Sequence, residues 1–172
     1  MMIEKINVNK QGGARLTMRV DGAARGNPGN AGIGGIVSDG DDNELLSFSE
    51  YIGETTNNVA EYSALIFGLK KLAQFKSSSI IIYSDSELLV QQLNGFFKVK
   101  NAGLKPLFEQ ARRLLSKYTG VTIYHVPREA NKEADKLANQ AIDGYLAGNK
   151  DIVKIEGLSD GSHEVPGQKS FF

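Results

Sequence analysis

At 172 residues with 41% hydrophobic side chains, the chain is long enough for one domain with a full core, burying roughly 70% of its unfolded surface. Zero cysteines exclude disulfides, thiolate zinc sites and cysteine nucleophiles, and only His125 and His163 are left for imidazole chemistry. The formal net charge of zero argues against a general nucleic-acid coat protein; Met1–Asn7 lacks a secretory signal and no apolar run reaches the roughly 18 residues of a bilayer span, so a cytoplasmic monomer without membrane contact is expected.

Residues 1–14 carry a weak alternation ending in Gln11-Gly-Gly13 and read as an N-terminal extension, with no function assigned. From Leu16 the order is a strand over 16–21, a Gly/Asn/Pro turn over 22–31, a strand over 32–38, an acidic turn at Asp39-Gly-Asp-Asp42 and a strand over 44–52. Three strands joined by short turns predict an antiparallel meander. Residues 58–75 switch to helical spacing, with Val59, Tyr62, Leu65, Ile66, Leu69 and Leu72 on one face. Ile80-Ile-Ile-Tyr83 reads as a buried strand and Glu87 to Leu93 as a short helix. A helix over 104–117, a strand over 121–126 and a last helix from about Lys132 to Ala147 follow. The order βββαβααβα predicts an α/β fold: a five-stranded mixed sheet, three antiparallel strands and then parallel additions, flanked by helices. Residues 15–147 form the expected domain, and 148–172, which lose all periodicity, are expected to be a flexible tail.

Charge is unevenly spread. Residues 39–61 hold seven acids and no Lys or Arg, whereas 98–117 hold six bases against the single acid Glu109. The basic stretch is either a solvated helix face or a phosphate-contacting surface.

Four carboxylates, Asp21, Glu61, Asp85 and Asp135, stand where a strand or loop gives way to a helix. Asp21 ends the strand Leu16-Thr-Met-Arg-Val20, and Asp85 follows Ile80–Tyr83; acids at strand ends mark the usual ligand edge of an α/β sheet. Such acids without cysteine favour hard cations bound through oxygen, Mg²⁺ or Mn²⁺, over zinc. Each acid alone has a plain structural reading: a turn former at Asp21, an exposed helix acid at Glu61, an N-cap at Asp85 and a solvated helix residue at Asp135. Glu61, however, lies one turn before Leu65, beside the apolar stripe, where an unpaired charge is costly.

Taken together, Asp21-Gly-Ala-Ala-Arg-Gly-Asn-Pro-Gly29, Thr55-Thr-Asn-Asn-Val-Ala-Glu61, Tyr83-Ser-Asp85-Ser86 and Asn131-Lys-Glu-Ala-Asp135-Lys-Leu-Ala138 resemble, in order, the four signature blocks of type 1 ribonuclease H. The resemblance covers roughly residues 15–143. It implies a ribonuclease H-like fold and endonucleolytic cleavage of the RNA strand of RNA/DNA hybrids, with two divalent ions, Mg²⁺ or Mn²⁺, held by Asp21, Glu61, Asp85 and Asp135. It also implies minor-groove contacts by Asn27, Asn57 and Asn58, helped by Gly22, Gly29 and Thr56, because 2′-hydroxyls mark the RNA strand there. Asn57 and Asn58 could equally cap a helix. Gly34-Gly35 lies inside a strand pattern and is not a dinucleotide loop.

The chain departs from the family pattern in two places. Well-studied members carry a histidine in the loop before the last acid, but Val126-Pro-Arg-Glu-Ala-Asn131 has none, so the resemblance is to the subgroup without it. His125 reads as structural. Arg128 is the candidate substitute; its permanently charged guanidinium can hold phosphate but cannot act as a base. The long basic protrusion of some members is replaced by a shorter segment in which Lys98 and Lys100 are candidate substrate contacts, with Phe96 or Phe97 expected in the core, the alternative being packing on a sugar. Gln168-Lys-Ser-Phe-Phe172 resembles a sliding-clamp-binding peptide, and a tail docking on its own domain explains it equally well.

Two other readings stay open: a non-catalytic module binding hybrid or double-stranded RNA, and a nuclease of the same fold acting on another polynucleotide. Intact acids count against the first. The asparagine blocks and the glycine-rich first turn favour an RNA-reading enzyme over the second. Double-stranded RNA remains a further substrate to be tested.

Overall fold

In a computed structural model, residues 15–155 are described. Strands β1 (Arg15–Gly26), β2 (Gly29–Ser38) and β3 (Glu44–Thr55) form an antiparallel meander, followed by helix α1 (Asn57–Leu72). Then come β4 (Ser79–Ser84), α2 (Glu87–Leu93), α3 (Lys105–Leu115), β5 (Gly120–His125), a single 3₁₀ turn (Arg128–Ala130) and α4 (Lys132–Leu146). The five strands make one mixed sheet in the order β3-β2-β1-β4-β5, with β4 parallel to both β1 and β5. The expected element order and pairing sense are both present.

Alternation along β1 explains the layering. Leu16, Met18 and Val20 point to one face and are fully buried, as are Ile80 and Ile82 of β4. Full burial of each such side chain stabilises by about 1.5–3 kcal/mol. They pack under α1, whose Ala60, Tyr62, Leu65, Ile66, Leu69 and Leu72 are all buried, with Leu107 and Ala111 of α3 closing the cluster. On the opposite face α4 lies across β2, β3 and β1.

Gly34, inside β2, lets α4 come this close: a Cβ there would press on the Ala134 carbonyl and the Ala138 N–H of α4. Gly32, where a Cβ would overlap the Ala138 carbonyl, does the same two residues earlier, and together the two glycines set the helix-to-sheet distance that places Asp135 beside β1.

Several boundaries differ from expectation. The turn over 22–31 is instead a continuation of both strands, paired up to Gly26 and Gly29, with only Asn27 and Pro28 between them, joined by a cis peptide bond. Small residues there (Ala23, Ala24, Ala31, Gly32) carry a full backbone ladder without the apolar alternation that identifies a strand. Helix α1 begins at Asn57, because Thr56 Oγ1 accepts the Val59 N–H at 3.2 Å as N-cap. Phe96 and Phe97 are exposed, 76% and 47%, not in the core. The chain from 148 does not leave the domain at once: the Val153 N–H donates to the Tyr51 carbonyl at 2.9 Å and Ile155 is buried. A buried apolar side chain and one added backbone bond hold this stretch against β3. The N-terminal extension 1–14 and the Gln168–Phe172 peptide lie outside the described residues. No helix among the described residues is long and apolar enough to cross a membrane.

Candidate active site

Asp85 directly follows β4, and Asp21 lies within β1, not at its end as expected, two residues past Arg19, the last β1 residue paired with β4, so the parallel pairing of the two strands brings both acids to the same edge of their shared ladder. Glu61 reaches the same edge from the second turn of α1. One oxygen of each of the three acids lies within 4.8 Å of the other two. Asp135, in the first turn of α4, reaches the Asp21 carboxyl from the other side of the sheet. All four line one open pocket of about 530 Å³.

The trio is short of positive charge. Burial first, then the Glu61 and Asp85 charges, push the Asp21 carboxyl far above the usual carboxylate range. Glu61 is raised by burial and by Asp85, against the opposing effect of the Gly22 N–H, which donates to Glu61 Oε2 at 3.3 Å. A set of close carboxylate oxygens with uncompensated charge fits a hard divalent cation in donor type and in electrostatics.

The neighbouring residues fix these acids to the frame. Asn131, 1% exposed, donates from Nδ2 to the Val20 carbonyl at 2.9 Å, pinning the start of α4 next to Asp21. Ser86, not Asp85, caps α2 by accepting the Leu89 N–H at 3.3 Å, so Asp85 is spared from capping. Asn139 of α4 donates from Nδ2 to Asp135 Oδ1 at 3.2 Å.

The glycine-rich hairpin and the start of α1 clasp each other. Asn57 accepts the Ala24 N–H at 3.1 Å, and Asn27 accepts the Asn57 N–H at 3.1 Å. Asn57, Asn58 and Gly22 line the pocket alongside the acids.

Other candidates fall elsewhere. Asn27 and Gly29 shape the hairpin from outside the pocket lining, and Thr56 is occupied as a cap; a Cβ on Gly29 would overlap the Arg25 carbonyl. Lys98 and Lys100 follow α2 on a segment away from the pocket, because the chain between α2 and α3 turns back toward Gln92, which donates to the Lys98 carbonyl at 3.5 Å. Arg128 lines the pocket, 79% exposed, with Nη2 at 3.9 Å from Asp135 Oδ1. His125 is exposed at the end of β5 and outside the lining. Sequence reasoning missed Arg25, Ser86 and Asn139 as lining residues. Asn139 carried a usable signal, its spacing of one helical turn from Asp135.

The family described as reverse transcriptase-like matches residues 19–141. The chain is 40% identical over 131 residues to ribonuclease HI of Halobacterium salinarum, covering 76% of this chain and 66% of that protein. It is 41% identical over 145 residues to the bifunctional protein Rv2228c of Mycobacterium tuberculosis, covering 82% of this chain but only 40% of that longer relative. Among solved structures, LC11-RNase H1, isolated from compost by a metagenomic approach, superposes in complex with RNA/DNA hybrid at a TM-score of 0.73 and 43% identity, over 76% of this chain and 99% of that one. With four acids converging on the sheet edge that the signature blocks anticipate, and with relatives of this identity along most of its length, the chain belongs to the type 1 ribonuclease H family.

Proposed function

We propose that the protein is a divalent-metal-dependent endonuclease that hydrolyses the RNA strand of RNA/DNA hybrids. The observation that carries this reading is the meeting of Asp21, Glu61 and Asp85 oxygens within 4.8 Å, with Asp135 on the same pocket wall. The hybrid bound by LC11-RNase H1 supports the choice of substrate.

Asp21, Glu61, Asp85 and Asp135 would hold two ions, Mg²⁺ or Mn²⁺. Such a pair supplies an activated water and neutralises charge on the leaving oxygen of a phosphodiester. Asn57, whose Oδ1 is taken by the Ala24 N–H, keeps its Nδ2 hydrogens as donors for a 2′-hydroxyl, and Asn58 beside it offers both donor and acceptor. That wall reads the RNA strand. Arg128, exposed at the pocket mouth, holds a phosphate oxygen and moves no proton.

The test is a labelled 20-mer assay on RNA/DNA, RNA/RNA and DNA/DNA duplexes, with Mg²⁺, with Mn²⁺ and with chelator. Cleavage is expected in the RNA strand of the hybrid, dependent on metal and lost in Asp85→Asn, which removes a ligand with little change in volume. Full activity in that variant would defeat the reading, and cutting of DNA/DNA alone would reassign the substrate.

A further inference from the structure

Arg25 lies four residues beyond Asp21, on the glycine-rich hairpin, and crosses to α4. Its Nη1 is 2.7 Å from Asp143 Oδ1, and its Nη2 donates to the Asn139 carbonyl at 3.4 Å and to Asn139 Oδ1 at 3.3 Å. Asn139 in turn donates from Nδ2 to the Asp135 carbonyl at 3.0 Å and to Asp135 Oδ1 at 3.2 Å. Positions 135, 139 and 143 are successive turns along one face of the helix, so one guanidinium fork addresses two of them and reaches the third through an amide.

The chemistry of the pair is directional. A side-chain amide has one oxygen and one NH₂, and a half-turn about its last bond exchanges them. A guanidinium has donors only, so it accepts the orientation that puts Oδ1 toward Arg25 and therefore Nδ2 toward Asp135. In the reversed orientation Asn139 would aim an oxygen at a carboxylate, two acceptors facing each other. Asp143 grips the other edge of the fork and keeps it in place.

Asp135 is the acid that needs this help. Asp21, Glu61 and Asp85 are gathered within 4.8 Å by strand pairing and by the backbone contact of Gly22, whereas Asp135 comes from the opposite side of the sheet, with 31% of its side chain exposed. We propose that Arg25 is a positioning residue that sets the Asn139 amide and, through it, leaves the Asp135 carboxylate oriented for metal, thereby coupling the hairpin that meets the substrate to the fourth ligand of the site. The inference rests on the nuclease reading above and assigns it a residue outside the signature acids.

The test compares Arg25→Met, Asn139→Ala, their double variant and Asp143→Asn with the unaltered protein. Mn²⁺ affinity is read by calorimetry without substrate, kcat and KM on hybrid, and Tm without metal. Arg25→Met and Asn139→Ala are each expected to weaken Mn²⁺ binding and lower kcat by about tenfold, with KM within about twofold, the range seen when a group supporting a metal ligand is removed. The double variant should be no worse than either single one, because both break the same link. Asp143→Asn, which frees one edge of the fork while leaving Arg25 and Asn139 in place, should lower Mn²⁺ affinity and kcat in the same direction but by a smaller factor than Arg25→Met. A rise in KM at constant kcat would make Arg25 a phosphate contact and overturn the proposal. So would multiplicative losses in the double variant, or Tm losses with unaltered Mn²⁺ affinity. The calorimetric arm needs no cleavage, so a wild-type protein that binds Mn²⁺ but cuts no hybrid counts against the proposed function and not against this link.

Discussion

The Gly22 N–H donates to Glu61 Oε2 at 3.3 Å, and the same glycine touches α1 so closely that a Cβ would overlap the Ala60 carbonyl carbon. Strand β1 and helix α1 therefore meet backbone to backbone at the point where their acids converge. Gly22→Ala should force the two apart, since the opposing atoms are main chain and cannot turn away. The expected cost is about 1–3 kcal/mol in urea denaturation, typical of overpacking, and hybrid cleavage should fall by about a hundredfold, as a misplacement near 1 Å does. Wild-type rates in Gly22→Ala would show that this contact is not needed for the site.

Metal and pH act on stability through the same acids. Asp21 and Glu61 are raised above their ordinary values of 3.8 and 4.5, so the folded protein keeps protons that the unfolded chain releases. The stability they contribute is present at low pH and is lost as pH rises, so the metal-free protein should melt lower at about pH 8 than at about pH 5. Added Mg²⁺ or Mn²⁺ should reverse the trend, stabilising more at the higher pH, by about 2.7 kcal/mol at a hundred times the dissociation constant. Asp21→Asn should raise the metal-free Tm at the higher pH and abolish both cleavage and the metal-induced shift. Differential scanning calorimetry across pH, with and without metal, measures the melting shifts, and the hybrid assay measures the loss of cleavage.

Arg128 separates binding from folding. Its guanidinium is largely exposed and its nearest Asp135 oxygen is 3.9 Å away, so Arg128→Ala should change stability by less than about 0.5 kcal/mol. If it holds a phosphate, KM for hybrid should rise by about tenfold or more, the worth of a charge-assisted hydrogen bond, with kcat little changed. A shift in the pH profile of kcat instead would assign Arg128 a role in proton transfer that its chemistry does not predict.

Gly144 offers the opposite control to Gly22. It lies near the end of α4 with nothing within 4 Å of the Cβ it lacks. Gly144→Ala should stabilise by about 0.4–1 kcal/mol by narrowing the unfolded ensemble and favouring helix. Cleavage should be unaltered, since position 144 is outside the pocket lining.

The element order was legible because long apolar patterns such as Ile80–Tyr83 and Val59–Leu72 have a period, and period identifies strand and helix. The hairpin was not. Ala23, Ala24, Ala31 and Gly32 have no side-chain alternation to read, and their pairing is visible only in the backbone ladder. Phe96 and Phe97 were misjudged for a related reason: hydrophobicity predicts burial only where a neighbouring element offers a surface, and the segment after α2 offers none to them. The four acids were legible from their neighbouring blocks, yet the contact between Arg25 and Asn139 was not, since the two meet across 114 positions of chain.

The sequence by itself determined which elements form and which acids stand near their junctions, because local periodicity and turn chemistry act over a few residues. Only the tertiary structure decided that β4 lies against β1, that glycines in β2 admit α4 close enough to bring Asp135 to Asp21, and that Asn57 holds the hairpin. Those facts depend on distances between segments far apart in the chain, which packing sets and no local pattern encodes.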